Sequence, residues 1–161
     1  MSTGSLGQGL SVGVGMLLGG RLKGLDFHVF VLAGDGEMQE GQVWEAVMYA
    51  GFHKVRKLVL IVDNNRLQLT GRTDETLSLA PLAAKVSPFG WSCVECDGHE
   101  LAQMVPVLDR AREESAGGPV CVIANTHKGH GVSFITDRVE WHAKAPTPEQ
   151  LEQAIRELEA T

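Results

Sequence analysis

The sequence runs to 161 residues, 43% hydrophobic and 21% charged, which is the size and composition of one ordinary globular domain with a single core. A formal charge of −6 opposes a nucleic-acid surface, and the three cysteines are too few and odd in number for a secreted disulfide framework. No basic stretch precedes Arg21, and GLSVGVGMLLGG is too short and glycine-rich to span a bilayer, so a cytoplasmic protein without membrane contact is expected.

In chain order, a glycine-studded helix is expected over about Leu6 to Leu22 and a strand over Phe27–Ala33. The glycines of GQGLSVG form GxGxxxG rather than GxGxxG and follow no strand. They read as close helix packing rather than as a nicotinamide fingerprint. A GDG turn comes next, then a helix over about Gln42 to Phe52. The basic knot HKVRK, 53 to 57, reads as a solvated helix end entering a strand.

The apolar β-branched run LVLIVD, 58 to 63, suits a parallel strand covered on both faces. NNRLQLTGRTDET reads as a loop, followed by a short helix near Leu82–Val86 and a strand over Trp91–Cys96. In that strand the CxxC of Cys93 and Cys96 places its thiols on opposite faces, which argues for structural rather than redox cysteines. A helix starting near His99 meets Pro106, where a kink or a late start is expected. PVCVIA is the next strand, with Cys121 as a small core residue.

Lys128 to Pro148 is long and irregular for a compact domain, which marks it as functional. The last helix opens with Thr147 as N-cap, Pro148 in its first turn and Gln150 completing a capping box. Strands alternating with helices give an α/β domain with a mostly parallel sheet and helices on both faces.

GDGEMQEG leaves a buried strand with a carboxylate at its tip, where an unpaired charge costs several kcal/mol. In an open parallel sheet, ligands bind at the carboxyl ends of strands. LVLIVD also ends at such a rim, running into Asn64 and Asn65. If the two strands are near neighbours, Asp35 and Asn65 share that rim. One carboxylate and one amide oxygen are few, hard ligands, which suits Mg²⁺ completing its shell with phosphate and water. Gly34 and Gly36 remove side chains where a phosphate approaches backbone N–H groups.

STGSLGQGL, GDGEMQEGQVWEA, DNNRLQLTG and VEWHAKAPT, in this order, resemble the transketolase family of thiamine diphosphate enzymes. The likeness is nearest to the amino-terminal subunit of two-gene transketolases and covers the whole chain. It implies the diphosphate-binding fold, thiamine diphosphate and Mg²⁺ as cofactors, and two-carbon ketol transfer between sugar phosphates. By resemblance, Asp35, Asn65 and the backbone carbonyl of Leu67 hold the metal. Gly34, Gly36 and Glu37 lie along the diphosphate, and Gly4, Ser5 and Leu6 line the thiazolium side. His142 reaches the diphosphate and the reacting carbonyl, although Ala143 replaces the family's usual glycine. Glu40 and Glu45 resemble carboxylates at a subunit interface that share protons between two cofactors, a catalytic role for Glu40, with an ordinary polar helix face as the alternative for both. NTHKGHGVSF resembles a loop closing over the cofactor, with His127 and His130 atypical. His28, His53 and His99 match no motif.

The resemblance also implies a longer amino-terminal segment than the one here and a partner subunit carrying the pyrimidine domain, in a homo- or hetero-oligomer. A chain shortened in this way is expected not to turn over alone. Its apolar side chains on the first helix and at Val43, Trp44 and Val47 are expected to face a subunit interface. Three other readings stay open: a 2-oxo acid dehydrogenase α subunit, a deoxyxylulose phosphate synthase, and a non-catalytic cofactor-binding remnant.

Overall fold

A computed structural model describes residues 4–160; Ser2 and Thr3 of the first motif lie outside the described residues. The elements are α1 (Gln8–Leu22), β1 (Val29–Gly34), α2 (Gly41–Phe52), β2 (Leu58–Asn64), β3 (Leu67–Gln68), β4 (Gly71–Arg72), α3 (Thr73–Thr76), α4 (Leu82–Val86), β5 (Ser92–Asp97), α5 (Leu101–Glu114), β6 (Val120–Asn125) and α6 (Pro148–Glu159). Four strands form one parallel sheet in the order β1-β2-β6-β5.

One face of the sheet packs Val29, Val31, Leu58, Leu60 and Ile123 against α1, α2 and α4. The other packs Val59, Val120 and Val122 against Ala111 of α5. Alternation along each strand sends neighbouring side chains to opposite layers, so a continuous apolar run is what a sheet covered twice requires. The expected α/β architecture with helices on both faces is thus present. No described helix is long and apolar enough to cross a membrane.

The glycines of GQGLSVG serve both kinds of contact: a Cβ on Gly7 would come within 2.8 Å of Gln42 of α2, while Gly9 and Gly13 face β1. A Cβ on Gly13 would come within 2.7 Å of Val31 Cγ2, so the helix backbone lies directly on β1. Cys93 faces the larger core with Cys121, and Cys96 faces the smaller one, as strand alternation demands. The Thr147–Gln150 capping box is formed in both directions, a motif whose removal costs about 1 kcal/mol.

Several boundaries differ from expectation. β1 starts at Val29, because Phe27 is needed to pack over Gly20 of α1. Helix α5 starts at Leu101 and runs through Pro106. Its start is secured by the Glu100 carboxylate, which accepts the Ala102 N–H at 3.2 Å. The stretch read as a loop after Asn65 contains a two-residue hairpin, β3–β4, and the single turn α3. Strands this short carry no periodicity to read.

Val43, Val47 and Leu17 are core residues, and Trp44 is half-buried with its indole N–H donating to the Met38 carbonyl. They do not form an exposed interface. Both helices do expose apolar side chains, but other ones: Met16 and Leu22 on α1 and Met48, Tyr49 and Phe52 on α2, with Phe30 and Leu32 exposed on β1. Leu32 is 70% exposed because α5 covers β5, β6 and β2 but stops short of β1.

Candidate functional site

Parallel registry brings the two motif-bearing strand tips together. Gly34 pairs with Asp63, the Asp35 N–H donates to the Asp63 carbonyl at 3.1 Å, and Asn64 pairs with Asn125 of β6. Thirty positions of sequence therefore collapse onto one rim. The Asn64 amide donates to the Asn125 side-chain oxygen at 2.8 Å and pins the β2 and β6 tips to each other.

Asp35 is only 7% exposed. Its Oδ2 accepts the Thr73 hydroxyl at 2.8 Å, while its Oδ1 is buried without a hydrogen-bond partner among the described residues. Burial pushes the carboxyl up from its ordinary value, and the Thr73 hydroxyl and the nearby Gly36 and Arg66 backbone N–H groups offset part of that. A buried, unpartnered carboxylate oxygen costs about 1–3 kcal/mol or more, and a cation beside it would remove that cost.

Asn65 is oriented on the same rim through Asp63. Its Nδ2 donates to Asp63 Oδ2 at 3.0 Å, and its Oδ1 accepts the Leu67 N–H at 2.9 Å. Asp63 in turn accepts the Thr126 hydroxyl from the end of β6. Leu67 is buried at the start of β3. Carboxylate, amide oxygen and backbone carbonyl make an oxygen-only donor set for a hard cation. Among the described residues no group of three or more His, Cys, Asp or Glu is placed to hold a metal. A cation at Asp35 would therefore draw most of its ligands from phosphate and water.

The two turn glycines serve different ends. Nothing lies within 4 Å of where a Gly34 Cβ would stand, which leaves room for a ligand. At Gly36 a Cβ would come within 2.9 Å of Gln68 Cβ, so that glycine is required by the hairpin packed over the turn. Gln68 Oε1 is the second buried oxygen lacking a partner among the described residues.

Glu37 ties the amino-terminal segment to this rim. Its carboxylate accepts the Gly7 N–H at 2.8 Å and the Gly34 N–H at 3.3 Å. Gln42 donates to the Leu6 carbonyl at 3.0 Å, so Gly4, Ser5 and Leu6 lead into an anchored turn beside GDG. Glu40 is exposed at the N-cap of α2, and Glu45 is exposed one turn further on.

His142 is exposed at the end of a 3₁₀ turn, Val139–Trp141, with its N–H donating to the Val139 carbonyl. Among the described residues its side chain makes no hydrogen bond to Asp35, Asn65 or the glycines. Strand ends thus bring Asp35, Asn65, Leu67, Gly34, Gly36 and Glu37 together, but no contact joins His142 to them.

Thr73, Asp63, Thr126 and Gln68 were missed in the sequence. Asp63 stands next to NN in LVLIVDNN, which could have identified it. Thr73 reaches Asp35 only because the hairpin folds back, and nothing local announces that.

Residues 1–158 match the family model described as transketolase, thiamine diphosphate binding domain. An apulose-4-phosphate transketolase subunit from Phocaeicola vulgatus is 40% identical over 158 residues, 98% of this chain and 56% of that protein. A Clostridium protein, the 6-deoxy-6-sulfo-D-fructose transketolase subunit SqwG, is 39% identical over 99% of this chain and 58% of its own length. The chain thus spans somewhat more than half the length of these curated relatives. The transketolase of Campylobacter jejuni superposes with a TM-score of 0.91 at 24% identity, over 99% of this chain and 26% of that one, a likeness of fold. The chain belongs to the transketolase family, as its thiamine diphosphate-binding domain.

Proposed function

We propose that this chain is the diphosphate-binding half of a transketolase. It binds Mg²⁺ and thiamine diphosphate and, with a pyrimidine-domain partner subunit, transfers two-carbon ketol units between sugar phosphates. The observation that carries the proposal is Asp35 Oδ1, buried at a strand tip without a hydrogen-bond partner among the described residues, on the same rim as the oriented amide of Asn65. The names of the relatives support the class of reaction: one is a transketolase subunit for a phosphorylated sugar, and another is a transketolase subunit for a sulfosugar. Both are named as subunits, which supports a partner chain.

In this reading Asp35, Asn65 and the Leu67 carbonyl hold Mg²⁺, and the oxygen-only donor set supports that choice. Gly34, Gly36 and Glu37 line the diphosphate, with the open space over Gly34 admitting it. Gly4, Ser5 and Leu6 border the thiazolium side. Thiamine diphosphate, when bound, supplies the carbon nucleophile that carries the two-carbon unit from ketose to aldose. His142 orients and protonates at the reacting carbonyl, and its exposed position leaves it available to a substrate entering from solvent. Glu40 and Glu45, exposed along the start of α2, face the partner across an oligomer interface. Three free cysteines accord with a cytoplasmic setting.

The test is reconstitution. With Mg²⁺, thiamine diphosphate and a pyrimidine-domain partner, the chain should transfer a ketol group from a ketose phosphate to an aldose acceptor; alone it should not exceed background. Turnover by the isolated chain would overturn the half-site reading. Cofactor binding without turnover in the complex would favour a non-catalytic binding module.

A further inference from the structure

Three imidazoles meet beyond the tip of β5, in a cavity of about 520 Å³. The His99 and His130 rings stack with centroids 3.8 Å apart, and His127 lies 6.1 Å from His99. None of the three is used in the reaction described above.

His99 is fixed from behind. Gly98 presses the end of β5 onto β6: a Cβ there would come within 2.4 Å of Thr126 Cγ2, and the Gly98 N–H donates to the Asn125 carbonyl at 2.8 Å. The His99 backbone N–H donates to Asp97 Oδ1 at 2.8 Å. So held, the ring turns its Nε2 to accept the backbone N–H of His127 at 2.8 Å. Only an unprotonated nitrogen accepts, so the neutral ring carries its proton on Nδ1.

His127 opens a closed turn. The Asp137 N–H donates to the Lys128 carbonyl at 2.9 Å, the Thr136 hydroxyl donates to the Gly129 carbonyl at 2.9 Å, and His127 Nδ1 meets Asp137 Oδ2 at 2.9 Å. These bonds close the turn on itself, and the chain runs from it directly into Val139–Trp141 and His142. Its first N–H is the one held by His99. Its far side is held by Glu157 of α6, which accepts from the Ser133 N–H and hydroxyl.

We infer that His99 is a positioning residue whose Nε2 latches the 127–137 turn, and that this latch opens when the nitrogen takes up a proton. The latch itself does not depend on the function proposed above or on which cofactor binds. Protonation replaces an acceptor with a donor facing an N–H, and it sets a charged ring against the face of His130.

The groups around the ring neither compensate for nor forbid this. Asp97 already serves the His99 backbone N–H, and Asp137 serves His127. Arg72 is paired with Asp74, and Arg66, the other cation lining the cavity, opposes a second positive charge. Imidazole is the side chain that exchanges its proton between about pH 5 and pH 8. Across that window Glu157 remains ionised, since its Ser133 and Gln153 donors hold its carboxyl below the usual range.

The test is amide hydrogen exchange by mass spectrometry on the whole chain in its assembly, at about pH 7.5 and about pH 5.5, corrected for intrinsic rates. Peptides covering 126–138 should exchange about fivefold faster at the lower pH, the scale of one lost hydrogen bond, while β6 keeps its protection. His99→Gln offers a side-chain oxygen that accepts without titrating and should keep the turn protected at both pH values. His99→Ala should lose that protection at both. A wild-type turn equally protected at the two pH values overturns the proposal, as does a faster exchange shared with β6. So does a His99→Ala chain as protected as wild type, or a His99→Gln chain as unprotected as His99→Ala.

Discussion

The strand-tip rim and the 127–142 segment serve one proposed site but are built in opposite ways. The rim is fixed by parallel registry, with Asp35 buried and oriented by Thr73, and Asn65 oriented by Asp63. The segment is irregular and mostly half-buried to exposed, and it is held by polar contacts to His99 and Glu157. A rigid rim carries its binding geometry before the ligand arrives, so it should govern affinity. A tethered loop can be displaced at low cost and should govern turnover and its pH dependence.

Substitution at each region gives the sharpest contrast. Asp35→Asn should weaken Mg²⁺-dependent thiamine diphosphate binding by about a hundredfold or more, measured by calorimetry on the assembled protein. Its thermal stability without cofactor should not fall, because a buried charge has been removed. His142→Ala should change affinity by less than about tenfold and lower kcat instead. Equal losses of affinity in the two variants would break the comparison.

Thr73→Val sharpens it further. The change removes only the hydroxyl that orients Asp35 Oδ2, and such outer partners are worth about tenfold in metal affinity. The same calorimetry should show a loss intermediate between Asp35→Asn and wild type. A variant that binds as wild type would mean that Asp35 needs no support from the hairpin.

Thr73 also shows where the sequence stops being legible. LVLIVD and FHVFVLA announce their strands because both faces of a parallel sheet are apolar, and the GDG and NN motifs then fall at strand ends without further information. That reasoning locates Asp35 and Asn65. It does not reach Thr73, which depends on a hairpin of two-residue strands, nor Gln68, whose buried oxygen faces Gly36. It misassigned Val43 and Val47 to a subunit surface, because an apolar helix stripe looks alike whether it meets a partner or its own sheet. His99 carried no signal at all: its role depends on the distance between the ends of β5 and β6.

The smallest expected effect concerns the far tether of the loop. Hydrogen bonds from Ser133 and Gln153 hold the Glu157 carboxyl below its ordinary range. Such a group contributes its tether fully above the ordinary carboxylate range, and the contribution is lost as pH falls through the lowered folded value. Amide exchange around Ser133 should therefore rise in acid in the wild type. Glu157→Gln should show the faster exchange already at neutral pH, with a flatter acid response. An unchanged profile in that variant would remove Glu157 from the account.

The central claim is that the buried Asp35 Oδ1, without a hydrogen-bond partner among the described residues, is a metal ligand. It is tested most directly by a crystal structure of the assembled protein with thiamine diphosphate and Mn²⁺ in place of Mg²⁺, locating the metal by its anomalous signal. The account predicts a single peak within about 2.5 Å of Asp35 Oδ1, the Asn65 side-chain oxygen and the Leu67 carbonyl. A cofactor bound with its metal elsewhere, and Asp35 Oδ1 still without a partner, would contradict it.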